Sequence, residues 1–119
     1  MSLRDKILQA TDIQTELVEV PEWGVTVEVR GMSGADRARI FDAVSKNGEV
    51  SAGDLYVETV IATAYDPETG AHVFDEKDKA ALMEKSAQAI DRLSQVGLRL
   101  SGMDKEAQDA AGKTFPSES

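Results

Sequence analysis

The clearest pattern in the sequence is an alternation of apolar and polar residues in its first third. In residues 25–30 every second side chain is a valine, and threonine, glutamate and arginine stand between them. This two-residue period predicts a half-buried β-strand, and residues 16–20 predict a second one. The tetrapeptide Pro-Glu-Trp-Gly at residues 21–24 separates the two at hairpin length. Because an isolated hairpin is only marginally stable in water, we expect this one to pack against helices.

Further along the chain the apolar residues recur at a helical spacing. A short first helix is predicted to begin after Ser2 and to end near residues 11–12. A second helix begins after Ser33 and stops at residues 47–48, Asn-Gly. The apolar sides of these two helices are Leu3, Ile7 and Leu8, and then Ala38, Ile40, Phe41 and Val44.

The middle segment, residues 55–65, has two interpretations. Its β-branched residues admit a strand, whereas the good cap at Ser51 and the shared face of Tyr56, Val60 and Ala64 favour a helix. We favour the helix.

A turn and a long helix are predicted to follow. Residues 66–70, Asp-Pro-Glu-Thr-Gly, form a turn sequence, because proline presets φ and glycine tolerates the left-handed region. Asp75 then caps a helix of roughly 25 residues that starts at Glu76 and ends at Gly102. A last short helix is predicted from Asp104 through residue 111. The apolar positions of the long helix are Leu82, Ile90, Leu93, Val96, Gly97 and Leu100.

These elements predict an α+β fold that is mainly α, with four or five helices packed with a small N-terminal β-hairpin. The 119 residues are enough for one domain. We place that domain at residues 1–112 and a flexible, polar C-terminal tail at residues 113–119.

The net charge and the amino-acid composition limit the classes of partner and of chemistry that we expect. The formal net charge is −9, which repels nucleic-acid backbones and anionic membranes, so we expect neither as a partner. The absence of cysteine excludes disulfides, thiolate catalysis and Cys-ligated zinc. The first residues lack the apolar core of a signal peptide and no apolar run approaches membrane-spanning length, so we expect a cytoplasmic protein.

Candidate catalytic and metal motifs are weak. Residues 112–114, Gly-Lys-Thr, resemble the end of a phosphate-binding loop, but Ala107 stands where the motif needs glycine. His72 has no recognisable nucleophile motif. The acidic residues around the 66–70 turn lack the spacing of a calcium loop, and turn and cap chemistry accounts for them. We therefore expect no catalytic, cofactor-binding or metal-binding residues and no enzymatic activity.

Three apolar residues are candidate partner contacts. Trp23 stands at the tip of the predicted hairpin, where it either folds back over the hairpin or anchors a partner. Met103 and Phe115 lie near the predicted mobile end of the chain. Other methionines, among them Met83, fit better as core filler.

Four stretches of the sequence resemble phage tail assembly chaperones of long, noncontractile-tailed bacteriophages and related prophages. They are residues 19–34, residues 62–70 with 73–74, residues 93–102 and residues 111–116, and the resemblance covers nearly the full length. The family commonly has asparagine where Thr114 stands, which is a small departure.

This resemblance implies a chaperone that acts in the host cytoplasm and is absent from the mature virion. It implies binding of the tape measure protein, which sets tail length, and support for tail tube polymerisation. A frameshifted longer form of such proteins recruits the tail tube protein. Many weak copies along one client gain avidity, so a homo-oligomer is also expected. The competing interpretations are a structural tail or head-tail joining protein, and a small acidic adaptor or regulatory subunit unrelated to phage.

Overall fold

The computed structural model describes residues 1–46 and 49–103. In this part of the chain, five α-helices and a three-stranded antiparallel sheet form an α+β fold that is mainly α, which confirms the predicted fold class. A short 3₁₀ turn, Glu76–Asp78, precedes the fourth helix. The helices are α1 (Leu3–Gln9), α2 (Gly34–Val44), α3 (Ala52–Thr63), α4 (Lys79–Met83) and α5 (Ala87–Leu100), and the strands are β1 (Thr15–Val20), β2 (Val25–Arg30), β3 (Ser45–Lys46), β4 (Glu49–Val50) and β5 (Ala64–Tyr65).

The predicted hairpin is confirmed. Strands β1 and β2 pair antiparallel from Thr15 opposite Arg30 to Val20 opposite Val25. Gly24 closes the loop at φ 65°, a conformation that glycine adopts without steric cost. Four of the five valines in the two strands form one buried face, whereas Val25, next to the hairpin loop, is exposed. These buried valines are Val18, Val20, Val27 and Val29.

A third strand completes the sheet at Ala64 and Tyr65, where the preferred helix of the middle segment was expected to continue. Strand β5 directly follows α3 and pairs antiparallel with β2, with Ala64 opposite Val29. The strand order is therefore β1-β2-β5. A separate two-stranded pair joins β3 to β4.

Helix α3 confirms the preferred interpretation of the middle segment. Ser51 caps it by accepting the Asp54 N–H, and the helix runs to Thr63. Every residue from 57 to 63 is buried, so the β-branched residues fill the interior from a helix rather than from a strand. Helix α2 begins with a complete capping box between Ser33 and Asp36.

The prediction of one long helix over residues 76–101 is wrong. The chain forms the 3₁₀ turn and the five-residue helix α4, leaves helical structure at residues 84–86, and then starts α5. Ser86 caps α5 by accepting the N–H of Ala89 at 3.3 Å. A serine side chain forms hydrogen bonds with nearby backbone groups. This disfavours serine inside a helix and favours it as the N-cap of a new helix. Because α4 and α5 are separate helices, Leu82 of α4 and the apolar side of α5 both pack into the same main core.

That core lies between the buried face of the sheet and helices α3, α4 and α5. A smaller cluster of Ile40, Val44 and Ala62 joins α2 to α3. The main cluster comprises Val18, Val20, Val27, Val29, Val57, Val60, Ile61, Ala64, Leu82, Ala89, Ile90 and Leu93. Helix α1 contributes no buried residue, so its predicted apolar side of Leu3, Ile7 and Leu8 faces solvent.

Helices α3 and α5 cross closely at a glycine. A Cβ atom on Gly97 would lie 2.8 Å from Thr63 Oγ1 and 3.0 Å from Thr59 Cγ2. Thr63 cannot turn away freely, because its hydroxyl donates to the Thr59 carbonyl at 2.6 Å. The close crossing of the two helices therefore requires a residue without a side chain at position 97.

Candidate functional site

Two shallow depressions flank the short helix α4. The first, of about 270 Å³, is lined by Val73, Phe74, Asp78, Ala81, Leu82 and Lys85. The second, of about 180 Å³, is lined by Gly53, Tyr56, Val57, Met83, Lys85, Ala87, Ile90 and Asp91. Both open to solvent and share Lys85, so we treat them as one surface and call it the α4 groove.

The groove combines a buried apolar floor with exposed apolar walls. Leu82, Val57 and Ile90 lie at its base and belong to the main core. Met83 is 52% exposed and Tyr56 is 36% exposed, although the sequence pattern placed Met83 in the core. Exposed apolar side chains in a concave surface mark a place where another apolar surface binds.

A buried ion pair holds α4 in place beside this groove. Glu58 of α3 is 1% exposed, and Lys79 Nζ lies 3.0 Å from its Oε2 atom. The ammonium also lies 3.7 Å from Asp54 Oδ1. At 3.0 Å the ammonium and the buried carboxylate form an ion pair at hydrogen-bond distance.

The charges around Glu58 shift the proton affinities of its neighbours. The hydrogen bond to the Glu58 carboxylate raises the pKa of Lys79, and the negative charges of Asp54 and Glu76 add to this rise. The same carboxylate raises the pKa of Glu76, with burial as the second cause. Lys79 is therefore the cation that balances a buried negative charge at the start of α4.

The structure places Trp23 next to the groove. Its half-buried ring packs against the main core and meets Phe74 edge to face, with 6.4 Å between ring centroids. Arg92 fixes the hairpin loop by binding both carboxylate oxygens of Glu22, at 2.5 and 3.0 Å. This bond is the main cause that lowers the pKa of Glu22. Trp23 therefore folds back over the core, and its ring contacts Phe74, which lines the groove.

The other two candidate contacts are not brought to the groove. Gly102 has φ 73°, and the Met103 N–H donates to the Leu98 carbonyl at 2.7 Å, which forms a Schellman motif at the end of α5. This motif turns Met103 inward, where it is 5% exposed. Phe115 lies outside the described residues, as do the predicted last helix and tail. The role of both residues as partner contacts stays a prediction.

The acidic residues around the turn serve structural roles. Asp66 Oδ1 accepts the N–H of Glu68 at 2.8 Å, and Asp75 and Asp78 form a capping box. His72 stacks on Tyr65 with ring centroids 4.2 Å apart. Within residues 1–46 and 49–103, no group of three histidine or acidic side chains is arranged to hold a metal ion.

None of the described helices is both long and apolar enough to cross a membrane. A third depression, of about 250 Å³, lies beside the hairpin loop. Residues of one hairpin alone line it, so we base the candidate site on the α4 groove, where several elements meet.

The sequence did not reveal the groove because it depends on the break between α4 and α5. In one continuous helix, Met83 and Ile90 would lie along the same straight axis, and no cleft would form between them. The signal that was available is the polar pair Lys85-Ser86, which interrupts the apolar spacing between Leu82 and Ile90.

Comparisons with known proteins agree with this fold. A family model described as phage tail assembly chaperone matches residues 2–113. The solved structure of the bacteriophage HK97 tail assembly chaperone is similar, with a TM-score of 0.58 and 25% sequence identity. That similarity covers 82% of this chain and 91% of the HK97 chain. A search of curated protein sequences finds no match. Because the family model covers almost the whole chain, the protein belongs to the phage tail assembly chaperone family.

Proposed function

We propose that this chain binds the tape measure protein in the host cytoplasm, keeps it soluble, and assists tail tube polymerisation without catalysing a reaction. Membership of the tail assembly chaperone family carries this proposal. The client is a long helical protein with exposed apolar stripes. A chaperone for it needs an open apolar surface on an otherwise charged molecule, and the α4 groove offers one.

The shape of the groove suits an amphipathic helix. Met83 and Tyr56 project from its walls, and Lys85 stands between its two halves. A methionine wall adapts to different apolar side chains, because its thioether chain is flexible and polarisable. The net charge of −9 then keeps the complex in solution while the apolar stripe of the client is covered.

The test is co-expression of the candidate tape measure protein with variants of this chain, scored by the tape measure protein in the soluble fraction. Met83→Asp places a charge in the groove at a position that is 52% exposed, so the fold should persist. We expect this variant to lose the client from the soluble fraction. Leu17→Asp is the matched control, because Leu17 is 64% exposed on the sheet and lies outside the groove.

Equal client solubility with Met83→Asp and with the wild-type chain would refute the groove as the binding site. Circular dichroism of both variants checks that each is folded. Replacing Phe115 by alanine in the same assay tests the contact predicted from the sequence, and loss of client solubility would support it.

The finer points of the proposal have separate tests. The chaperone should be absent from purified virions by mass spectrometry, whereas a structural tail or head-tail joining protein would be present. A tail tube partner requires the frameshifted longer form, so pull-down of the tube protein should succeed with that form and fail with this chain.

A further inference from the structure

Residues 76–85, which we call the α4 segment, are held on the core mainly at two points. Within this segment Leu82 is the only buried side chain, with 3% of its surface exposed. The second attachment is the ion pair between Lys79 and Glu58. A helix of five residues forms too few hydrogen bonds to be stable by itself in water. The position and the helical structure of α4 therefore depend on Leu82 and on the ion pair.

Both ends of the α4 segment interrupt helical structure. Asp75 has an extended backbone, with φ −129° and ψ −177°, directly before the 3₁₀ turn. At the other end, the chain leaves α4 after Met83, and Ser86 has ψ 124° as the N-cap of α5. Hinges in proteins lie at such loop and helix-end residues, because a backbone rotation there breaks no helix. The α4 segment can therefore move while α5 stays in place.

Like charges meet where the α4 segment contacts α3. Asp54 and Glu58 lie 3.7 and 3.0 Å from the ammonium of Lys79, and Glu76 adds a third negative charge there. The positive charge of Arg39 also acts on Glu76. When Glu58 and Glu76 are both ionised, their repulsion favours separation of the 3₁₀ turn from α3. The closed arrangement is therefore a balance between this repulsion and the two attachments.

The position of α4 also limits the size of the α4 groove. One turn of an α-helix with its side chains occupies roughly 400–600 Å³, which is more than the 270 Å³ or the 180 Å³ of either depression. The closed groove therefore admits side chains and not a whole helical turn. If α4 moved away, the floor at Val57 and Ile90 would become continuous with the part of the main core that Leu82 covers.

We propose that the α4 segment is a lid that opens as one unit, with Leu82 and Lys79 released together, and that its opening joins the two depressions into one apolar groove. Glu58 couples the two releases, because its carboxylate is 1% exposed and is destabilised when buried without Lys79. The lid itself is a property of the free chain. Only the identity of the occupant of the open groove, a client helix, rests on the proposed function.

Amide hydrogen exchange of the free chain, followed by NMR, tests the lid. The N–H groups of Lys79, Glu84 and Lys85 donate to carbonyls within the α4 segment, and opening exposes them because α4 does not persist when detached. We expect these three amides to share one protection factor within about threefold, and to exchange at least tenfold faster than the Leu93 and Leu98 amides of α5. Equal protection in the two groups, or three unrelated values in the lid, would overturn the inference.

Variants separate lid opening from global unfolding. Leu82→Ala removes one attachment and should lower the protection of the lid amides about tenfold or more. Met83→Ala is the matched control, because Met83 is 52% exposed, and it should leave that protection unchanged. Gly97→Ala strains the crossing of α3 and α5 whether the lid is closed or open. It should lower the protection of the α5 amides alone. An equal fall in the lid amides would show that the lid opens only by global unfolding.

The client assay separates this inference from the proposed function, because the exchange experiment contains no client. Fast, uniform exchange of the lid together with unchanged client solubility in Met83→Asp would place the client elsewhere and leave the lid standing. Loss of client solubility in Met83→Asp together with equal protection of the lid and α5 would refute the lid and leave the groove as the client site.

Discussion

Replacing Lys79 by methionine should destabilise the protein strongly. Methionine keeps most of the aliphatic chain but removes the charge that lies 3.0 Å from Glu58 Oε2. The side chain of Lys79 is 27% exposed and that of Glu58 is 1% exposed, so water does not replace the lost partner. The variant therefore leaves a carboxylate buried without its cation.

Two magnitudes limit the size of this effect. Unit charges 3.0 Å apart attract by about 5–6 kcal/mol at the effective dielectric constant of 20 that suits protein sites. Removing one partner of a buried ion pair typically costs about 3–5 kcal/mol, because the other charge stays buried without its partner. Lys79 is partly exposed, so we expect Lys79→Met to lower the unfolding free energy by about 2–4 kcal/mol.

Urea unfolding of the wild-type chain, Lys79→Met and the double variant Glu58→Gln/Lys79→Met checks this. The double variant buries no charge and should lie within about 1 kcal/mol of the wild type. A deficit below about 1 kcal/mol for Lys79→Met, or a double variant that is as unstable as Lys79→Met, would refute the reasoning.

Two further predictions concern the helix crossing and alkaline pH. Gly97→Ala should lower the unfolding free energy by about 1–3 kcal/mol, because the added Cβ would lie 2.8 Å from a buried threonine. Gly34→Ala, where nothing lies within 4 Å of the added atom, is the matched control and should be neutral or stabilising in the same denaturation assay. Burial raises the pKa of Tyr65, and contact with a buried glutamate raises the pKa of Lys79, so both hold their protons to higher pH in the folded state. Their stabilisation is complete below pH of about 10 and is lost above it, and Tyr65→Phe should reduce that loss in urea unfolding at pH 9 and pH 11.

Local signals in the sequence were sufficient for most elements. The valine alternation in residues 25–30 identified the hairpin. Alternate side chains of a strand lie on opposite faces, so a two-residue period of valines predicts a strand with one apolar face. The Ser33 capping box identified the start of α2, because its hydrogen bonds join residues three apart. The chemistry of the turn at residues 66–70 was identified for the same reason, since Asp66 binds the backbone that immediately follows it.

The candidate site could be predicted only in part. Trp23 was recognised as a residue of interest, but its contact with Phe74 joins parts of the chain that are 51 positions apart (74 − 23). Met83 was assigned to the core, because a helical spacing shows which residues share a face and not whether another element covers that face. Met103 was expected at a mobile end, yet the Schellman motif at Gly102 turns it inward.

The sequence by itself therefore determined the hairpin, the helix starts and the α+β class, because each depends on hydrogen bonds or periodicity within a few residues. Only the tertiary structure decided the break between α4 and α5, the added strand β5, and the burial of Glu58 against Lys79. Only the tertiary structure, too, decided the exposure of α1. These features depend on which distant surfaces meet, and long-range packing competes with local helical preference at energies of similar size.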